Sequence, residues 1–203
     1  MEDQKDLTFT RRALIASAAI VPLTALTAPA QTKDAAPSRA LDALQRKTLE
    51  AMVDRLIPTD ELGPGALDAG AAEYIDRSLA DYLAGEKESV VAGLEALNLF
   101  SRTTQTQNFA EMLPEKRDVV LTAFEANTVP GFQNARNFFN RIRRLTLEGM
   151  FGDPHYGGNG DFIGWDLIKY PGPRPAVAPE DQKMGVEVKP YHRSAWGADH
   201  NGH

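Results

Sequence analysis

The feature that most constrains the fold is the end of a helical hydrophobic pattern at Met150. Between Ser38 and Met150, apolar residues recur at three- and four-residue spacing, which is the spacing of one face of an α-helix. Beyond Met150 this pattern stops, and no alternation of apolar and polar residues is long enough to predict a strand. The sequence therefore predicts an all-α fold of about five helices in an irregular bundle, followed by a long irregular C-terminal arm.

Proline, glycine and polar turn residues divide the periodic region into five predicted helices. Ser38 is a suitable N-cap for the first helix, and Pro114 suits the first turn of the fourth. The polar run 103–108 is predicted to be a loop, and the fifth helix has the clearest apolar stripe. The predicted helices span residues 38–57, 69–83, 88–102, 114–127 and 132–150.

The N-terminus carries an export pattern. Arg11 and Arg12 form a twin-arginine pair, and a mildly apolar run follows them. Ala28 and Ala30 place small residues at a plausible cleavage point, while Pro22 interrupts the run, which is too short and too weakly apolar for a membrane span. An ordinary amphipathic helix is the alternative. The pattern favours a twin-arginine (Tat) signal peptide and a location in the bacterial periplasm.

These signals predict four regions. Residues 1–30 are the signal peptide, 31–37 a spacer, 38–150 the helical domain and 151–203 the arm. The chain of 203 residues has a net charge of −6 and no cysteine. Disulfides and thiolate metal sites are therefore excluded, and the acidic balance gives no basic surface for nucleic acid.

The first part of the arm, Phe151–Pro173, contains six glycines and three prolines together with five aromatic residues. A flexible linker would lack the aromatic side chains. We therefore predict an ordered, irregular segment, with glycine where the backbone turns tightly or passes close to another surface. The aromatic residues would either pack on the chain's own helices or form a protein interface, since Trp and Tyr are common interface anchors.

Motifs for nucleotides and metals fit poorly. A dinucleotide fingerprint beginning at Gly158 and Gly160 needs a third glycine where the chain has Ile163. The possible oxygen and nitrogen ligands in the arm do not have calcium-loop spacing, and a solvated state is expected for the tail histidines. The residues considered are Asp153, His155, Asn159, Asp161 and Asp166 in the arm, and His192, His200 and His203 in the tail. The arginines of the fifth helix are expected to form a solvated face with nearby acids.

Two separate motifs resemble the gluconate 2-dehydrogenase subunit 3 family. They are LIPTDELGPGALDAGAAEYID, residues 56–76, and FGDPHYGGN…GWDLIKYPGP in the arm. The resemblance covers roughly residues 41–175, and a twin-arginine leader also fits the family. At one position the chain departs from the pattern, because Lys169 stands where the family's L-I-G-[YF]-P-G run has glycine.

The resemblance implies a small subunit that is not catalytic alone. FAD would reside in a large partner subunit of the glucose–methanol–choline type, and a haem-containing cytochrome c would carry electrons away. Membrane contact would come only through the complex. The small subunit would escort a leaderless partner through Tat export and stabilise it. No catalytic, cofactor-binding or metal-binding residue is expected in this chain.

On this interpretation, a set of arm residues should contact the large subunit or brace the arm that does so. The set is Tyr156, Gly157, Gly158, Asn159, Trp165, Tyr170 and Pro171. Two alternatives remain open at this stage. The chain could complete the partner's sugar site with His155, Tyr156 or Asn159, or it could be a free-standing periplasmic binding protein.

Overall fold

The computed structural model describes residues 39–174 and 176–197. Within these ranges the chain is helical and contains no strand, which confirms the all-α prediction. The predicted signal segment with Arg11, Arg12, Ala28 and Ala30, the spacer, and the terminal histidines His200 and His203 lie outside the described residues. The helices are α1 (Ala43–Leu56), α2 (Ala71–Ala80), α3 (Lys87–Gln105), α4 (Pro114–Ala126), α5 (Ala135–Phe151) and α6 (Ile163–Leu167).

Helix α5 is the element against which the others pack. It contacts α2 and α4 most extensively, and also α1, α3 and α6. Its predicted apolar stripe is buried, including Phe138, Ile142 and Leu145. Phe138 packs edge-on against Phe124 of α4, with ring centroids 5.9 Å apart. Gly93 leaves room for the Phe138 ring on α3, because a side chain there would collide with it.

Several helix boundaries differ from the sequence prediction for local reasons. Helix α1 begins at Ala43 because Asp42 caps it: its carboxylate accepts hydrogen bonds from the Leu44 and Gln45 N–H groups at 2.8 Å. The choice of Ser38 as N-cap was therefore wrong. Helix α3 runs to Gln105, into the predicted loop 103–108, and ends where Thr106 adopts a left-handed φ of 60°.

The start of α1 is fixed to α2 by a buried carboxylate. Asp76 is fully buried, and its Oδ1 accepts hydrogen bonds from the N–H groups of Ala40 and Leu41 at 2.8 and 2.9 Å. Its Oδ2 pairs with Arg46 at 2.9 Å, and Arg46 also binds Glu73 at 2.6 Å. Burial of a charge is tolerated only when its partners are in place, so this contact orders the entry into α1.

We predict that Asp76→Ala lowers the free energy of unfolding by about 3–5 kcal/mol, because Arg46 and two amide groups lose their buried acceptor. Urea unfolding followed by circular dichroism measures the change. The matched control is Asp118→Ala, which removes the partner of Arg55; the Asp118 side chain is 48% exposed, so the cost should be about 0–1 kcal/mol. Equal costs for the two variants would contradict this assignment.

Candidate functional site

The two motifs noted in the sequence lie side by side in the structure. The Gly160 N–H donates a hydrogen bond to the Ala69 carbonyl at 3.0 Å. A side chain at Gly63 would lie 2.8 Å from Leu167 Cδ1, so the 57–70 loop and α6 are in close contact. The two motifs are therefore in contact, although they are far apart in the sequence.

The arm is attached to the C-terminal end of α5. The last carbonyls of a helix have no partner within the helix and need one elsewhere. Asn159 donates from its backbone N–H to the Gly149 carbonyl at 2.7 Å, and from Nδ2 to the Gly152 carbonyl at 2.9 Å. Trp165 Nε1 donates to the Phe151 carbonyl at 2.9 Å. The arm thus supplies the cap that the α5 sequence lacks.

This close approach depends on glycine. A side chain at Gly158 would collide with the Gly149 carbonyl, and one at Gly164 would collide with the Met150 carbonyl. The Gly164 N–H then donates to Asn159 Oδ1 at 2.8 Å, so both the oxygen and the nitrogen of that side-chain amide have a hydrogen-bond partner. The expectation that glycine marks places of close backbone contact is confirmed at these positions.

The predicted interface set divides into two groups. Asn159 is fully buried and Trp165 is only 4% exposed, so both residues brace the arm from inside. Gly158 is also buried, and Gly157 and Pro171 are partly exposed. Tyr156 and Tyr170 are 50% and 39% exposed and are available to a partner. Composition alone could not separate the buried aromatic residues from the exposed ones.

Three further apolar side chains are exposed beside this junction, and sequence reasoning missed them. Leu62 is 80% exposed and follows Glu61 in the turn that faces α6, Leu67 lies in the same loop, and Ile168 directly follows α6 and is 55% exposed. We call Leu62, Leu67, Ile168 and Tyr170 the docking surface. The available signal was the presence of leucine and isoleucine in segments without helical or strand periodicity.

The 57–70 loop is held by its own hydrogen bonds. The Thr59 hydroxyl donates to Asp68, and the Gly65 N–H donates to Thr59 Oγ1 at 2.9 Å and to Asp68 at 3.1 Å. The Thr59 bond, followed by the Gly65 bond, lowers the pKa of Asp68. Asp60 and Gly63 exchange two backbone bonds at 3.1 Å. Leu62 is therefore carried on a hydrogen-bonded turn.

The C-terminal segment returns to cover part of the arm. His192 stacks on Phe162 with ring centroids 4.8 Å apart, and its Nε2 lies 2.6 Å from Asp166 Oδ1. The His192 side chain is nevertheless 43% exposed, as predicted for a solvated histidine. Burial raises the pKa of Asp153, but hydrogen bonds from Ser194 and from the His155 and Ala195 N–H groups outweigh it and lower that pKa overall.

An open cavity of about 610 Å³ lies between the end of α2 and the turn Pro154–Tyr156. Its walls include Arg77, Asp81, Tyr82, His155 and Tyr156. The Tyr82 hydroxyl lies 2.6 Å from the Tyr74 hydroxyl, which in turn donates to Glu148 at 3.3 Å. Burial, together with this contact to Tyr82, raises the pKa of Tyr74. Tyr82 is therefore fixed at the edge of the cavity.

The arginines of α5, a metal site and a membrane span are the remaining features considered in the sequence. Arg144 of α5 is exposed and pairs with Glu148, as predicted for a solvated face with nearby acids. Arg141 pairs with Glu86 but is only 22% exposed, and Arg136 donates to the last carbonyls of α4. Across residues 39–174 and 176–197, no cluster of three His, Cys, Asp or Glu side chains could hold a metal ion. Over the same residues, no helix has the length and apolar character needed to cross a membrane.

Strained backbone is concentrated in the arm. Asn159, Asp161, Phe162 and Lys169 all have positive φ, between 48° and 61°, a region that residues other than glycine seldom adopt. Lys169, at 54°, occupies the position where the family pattern has glycine. The turn forms with lysine at this position. The positive φ of Lys169 explains why glycine suits the position, because glycine adopts positive φ without steric cost.

We predict that Lys169→Gly stabilises the protein by about 0.5–1 kcal/mol, because glycine adopts positive φ without steric cost. The melting temperature measured by calorimetry should rise. Lys189→Gly is the control: Lys189 does not have positive φ, so glycine there should be neutral or destabilising. A lower melting temperature for Lys169→Gly would contradict the strain argument.

Comparison with known proteins identifies the family. The model of the family described as Gluconate 2-dehydrogenase subunit 3 matches residues 43–172, which is more than half of the chain and spans α1 to the docking surface. No curated protein and no solved structure gives a significant match. The chain belongs to the gluconate 2-dehydrogenase subunit 3 family.

Proposed function

We propose that this chain is the non-catalytic small subunit of a periplasmic, FAD-dependent sugar or alcohol dehydrogenase complex. Family membership makes it a subunit of a dehydrogenase complex. The proposal adds that the chain stabilises a large flavoprotein subunit of the glucose–methanol–choline type. It also adds that the N-terminal twin-arginine signal exports the two subunits together.

The docking surface is the observation that carries this proposal. Leu62 and Ile168 are 80% and 55% exposed, and they belong to two segments that contact each other through Gly63 and Leu167. Burying one such side chain contributes about 1.5–3 kcal/mol. Aliphatic side chains on well-ordered turns, with Tyr170 beside them, suit a preorganised protein interface because little ordering is needed on binding.

The proposal assigns the redox chemistry to the other subunits. The flavin in the partner would accept the electrons removed from the sugar or alcohol, and a haem-containing cytochrome c subunit would pass them on. The docking surface of this chain would bind the large subunit and hold it in place. The complex would remain in the periplasm and contact the inner membrane only through its other subunits.

We predict that the chain and a co-expressed flavoprotein subunit of the glucose–methanol–choline type co-purify as a yellow complex with flavin absorption bands. Leu62→Ser combined with Ile168→Ser should weaken assembly at least tenfold, since two apolar contacts would be lost from the interface. Size-exclusion chromatography and the ratio of flavin to protein absorbance measure the result.

Val119→Ser is the matched control, because Val119 is an apolar residue of α4 that is 63% exposed but lies outside the docking surface. It should leave assembly unchanged. A colourless wild-type chain that purifies alone would contradict the proposal and favour a free-standing binding protein. Equal effects of the control and the double variant would contradict the assigned surface.

A second candidate function is that the chain completes the partner's substrate site. The cavity beside His155 and Tyr156 favours it, because both side chains line open space. Asn159 cannot take this role, since it is fully buried and its amide bonds to the arm and α5. In the co-expressed complex, normal assembly of Tyr156→Phe with a raised KM would favour this second function.

We also predict that replacing Arg11 and Arg12 with lysine retains both subunits in the cytoplasm, because the twin-arginine pair is the recognised export signal. Cell fractionation followed by flavin-dependent dye reduction measures the distribution of the complex. Replacing Lys5 with arginine is the control and should leave export unchanged. Periplasmic flavoprotein in the double-lysine strain would contradict the escort role.

A further inference from the structure

Among the described residues, every partly buried arginine except one pairs with a carboxylate of the same chain. Six arginines in the described ranges are partly buried, and five of them pair with a carboxylate of the same chain. Those five pairs are Arg46 with Glu50, Glu73 and Asp76, Arg55 with Asp118, Arg117 with Asp54, Arg141 with Glu86, and Arg174 with Asp181. Arg77 is the sixth, and among the described residues no carboxylate lies within ion-pair distance of it.

Arg77 is positioned by the arm and faces the cavity at the end of α2. Its guanidinium lies against the backbone of Gly157, where a side chain would come within 2.5 Å of Nη1. Gly157 itself has a φ of 90°, which favours glycine. The cavity of about 610 Å³ opens beside this guanidinium. The fold thus keeps a cation accessible at a site that is partly removed from water.

The other walls of the cavity suit a polar ligand with an apolar face. Tyr82 and Tyr156 are 58% and 50% exposed, so their rings offer contact area. His155 stands edge-on to Tyr156 with centroids 5.1 Å apart and stacks on Trp196 at 5.3 Å, which fixes its orientation. Asp81 also lines the cavity and places a negative charge there, so an anion must bind on the Arg77 side.

We propose that this cavity binds a carboxylate group, with Arg77 as its cationic partner and Tyr82 and Tyr156 as its walls. A guanidinium recognises a carboxylate with two parallel N–H bonds, which gives both affinity and orientation. The carboxylate belongs either to a small organic acid or to an acidic side chain of the partner subunit. The second source rests on the function proposed above, whereas the first does not.

Two titrations distinguish these sources. In the first, isothermal calorimetry measures the binding of sodium gluconate and sodium acetate to the full chain. In the second, the same chain is titrated with the purified flavoprotein subunit at low and high salt. Arg77→Gln should weaken whichever interaction uses the cavity by about tenfold or more, the usual effect of losing a charged hydrogen-bond partner.

Arg143→Gln is the matched control, because Arg143 is an exposed arginine of α5 that does not line the cavity. Asp81→Asn provides an independent test that does not depend on the folding of Arg77→Gln. It removes the like charge and should strengthen carboxylate binding. Circular dichroism confirms that each variant is folded.

Weakened gluconate or acetate binding in Arg77→Gln alone would support the small-acid source. Weakened flavoprotein binding, without binding of either free acid, would support the partner's side chain. Arg77→Gln and Arg143→Gln behaving alike in both titrations, or weaker binding by Asp81→Asn, would overturn the proposal. If the wild-type chain does not bind the flavoprotein, the proposed function fails, and the titration with free acids alone decides whether the cavity is a carboxylate site.

Discussion

The architecture depends on how the C-terminal end of α5 is capped. Asn159 and Trp165 satisfy the Gly149, Phe151 and Gly152 carbonyls, which a helix end cannot satisfy by itself. These hydrogen bonds join the last helix of the bundle to the arm, and the donor residues Asn159 and Trp165 are buried. Because an unpaired buried polar group costs about 1–3 kcal/mol, the cap and the arm stabilise each other.

The same cap brings the two family motifs together. Once the arm follows the end of α5, Gly160 bonds to Ala69 and Leu167 packs beside Gly63. Leu62 and Ile168 then become exposed neighbours of that contact, although they are far apart in sequence. The positive φ angles of the arm are compatible with this role, since strained backbone persists only where surrounding contacts fix it. The docking surface is thus a consequence of internal hydrogen bonding.

The helices could be predicted from the sequence, since a 3.6-residue period reports directly on which face is buried. The buried residues Ile142 and Leu145 follow that period. The first cap was missed because Ser38 and Asp42 are equally good N-caps by residue type, and only the bonds to Asp42 distinguish them. Helix α6 was missed because five residues are too few to show a period.

The candidate site was less predictable because its residues are defined by contacts between distant segments. Trp165 and Tyr170 lie in the same aromatic run, yet only the first is buried, since the Phe151 carbonyl is within reach of its indole nitrogen. Arg77 resembles any helical arginine in sequence, and its accessibility depends on the turn at Gly157. At Lys169 the family pattern has glycine, and the structure adds the reason, a positive φ that glycine adopts without steric cost.

The central claim is that the docking surface is already formed before the partner binds. Hydrogen–deuterium exchange of the chain, alone and with the flavoprotein, tests it most directly. Amides of Asn159 and Gly160, which bond to α5 and to the 57–70 loop, should be protected in the chain alone. Addition of the flavoprotein should then slow exchange at residues 60–63 and 167–170. Unprotected arm amides in the chain alone, or new protection confined to α3 and α4, would contradict the account.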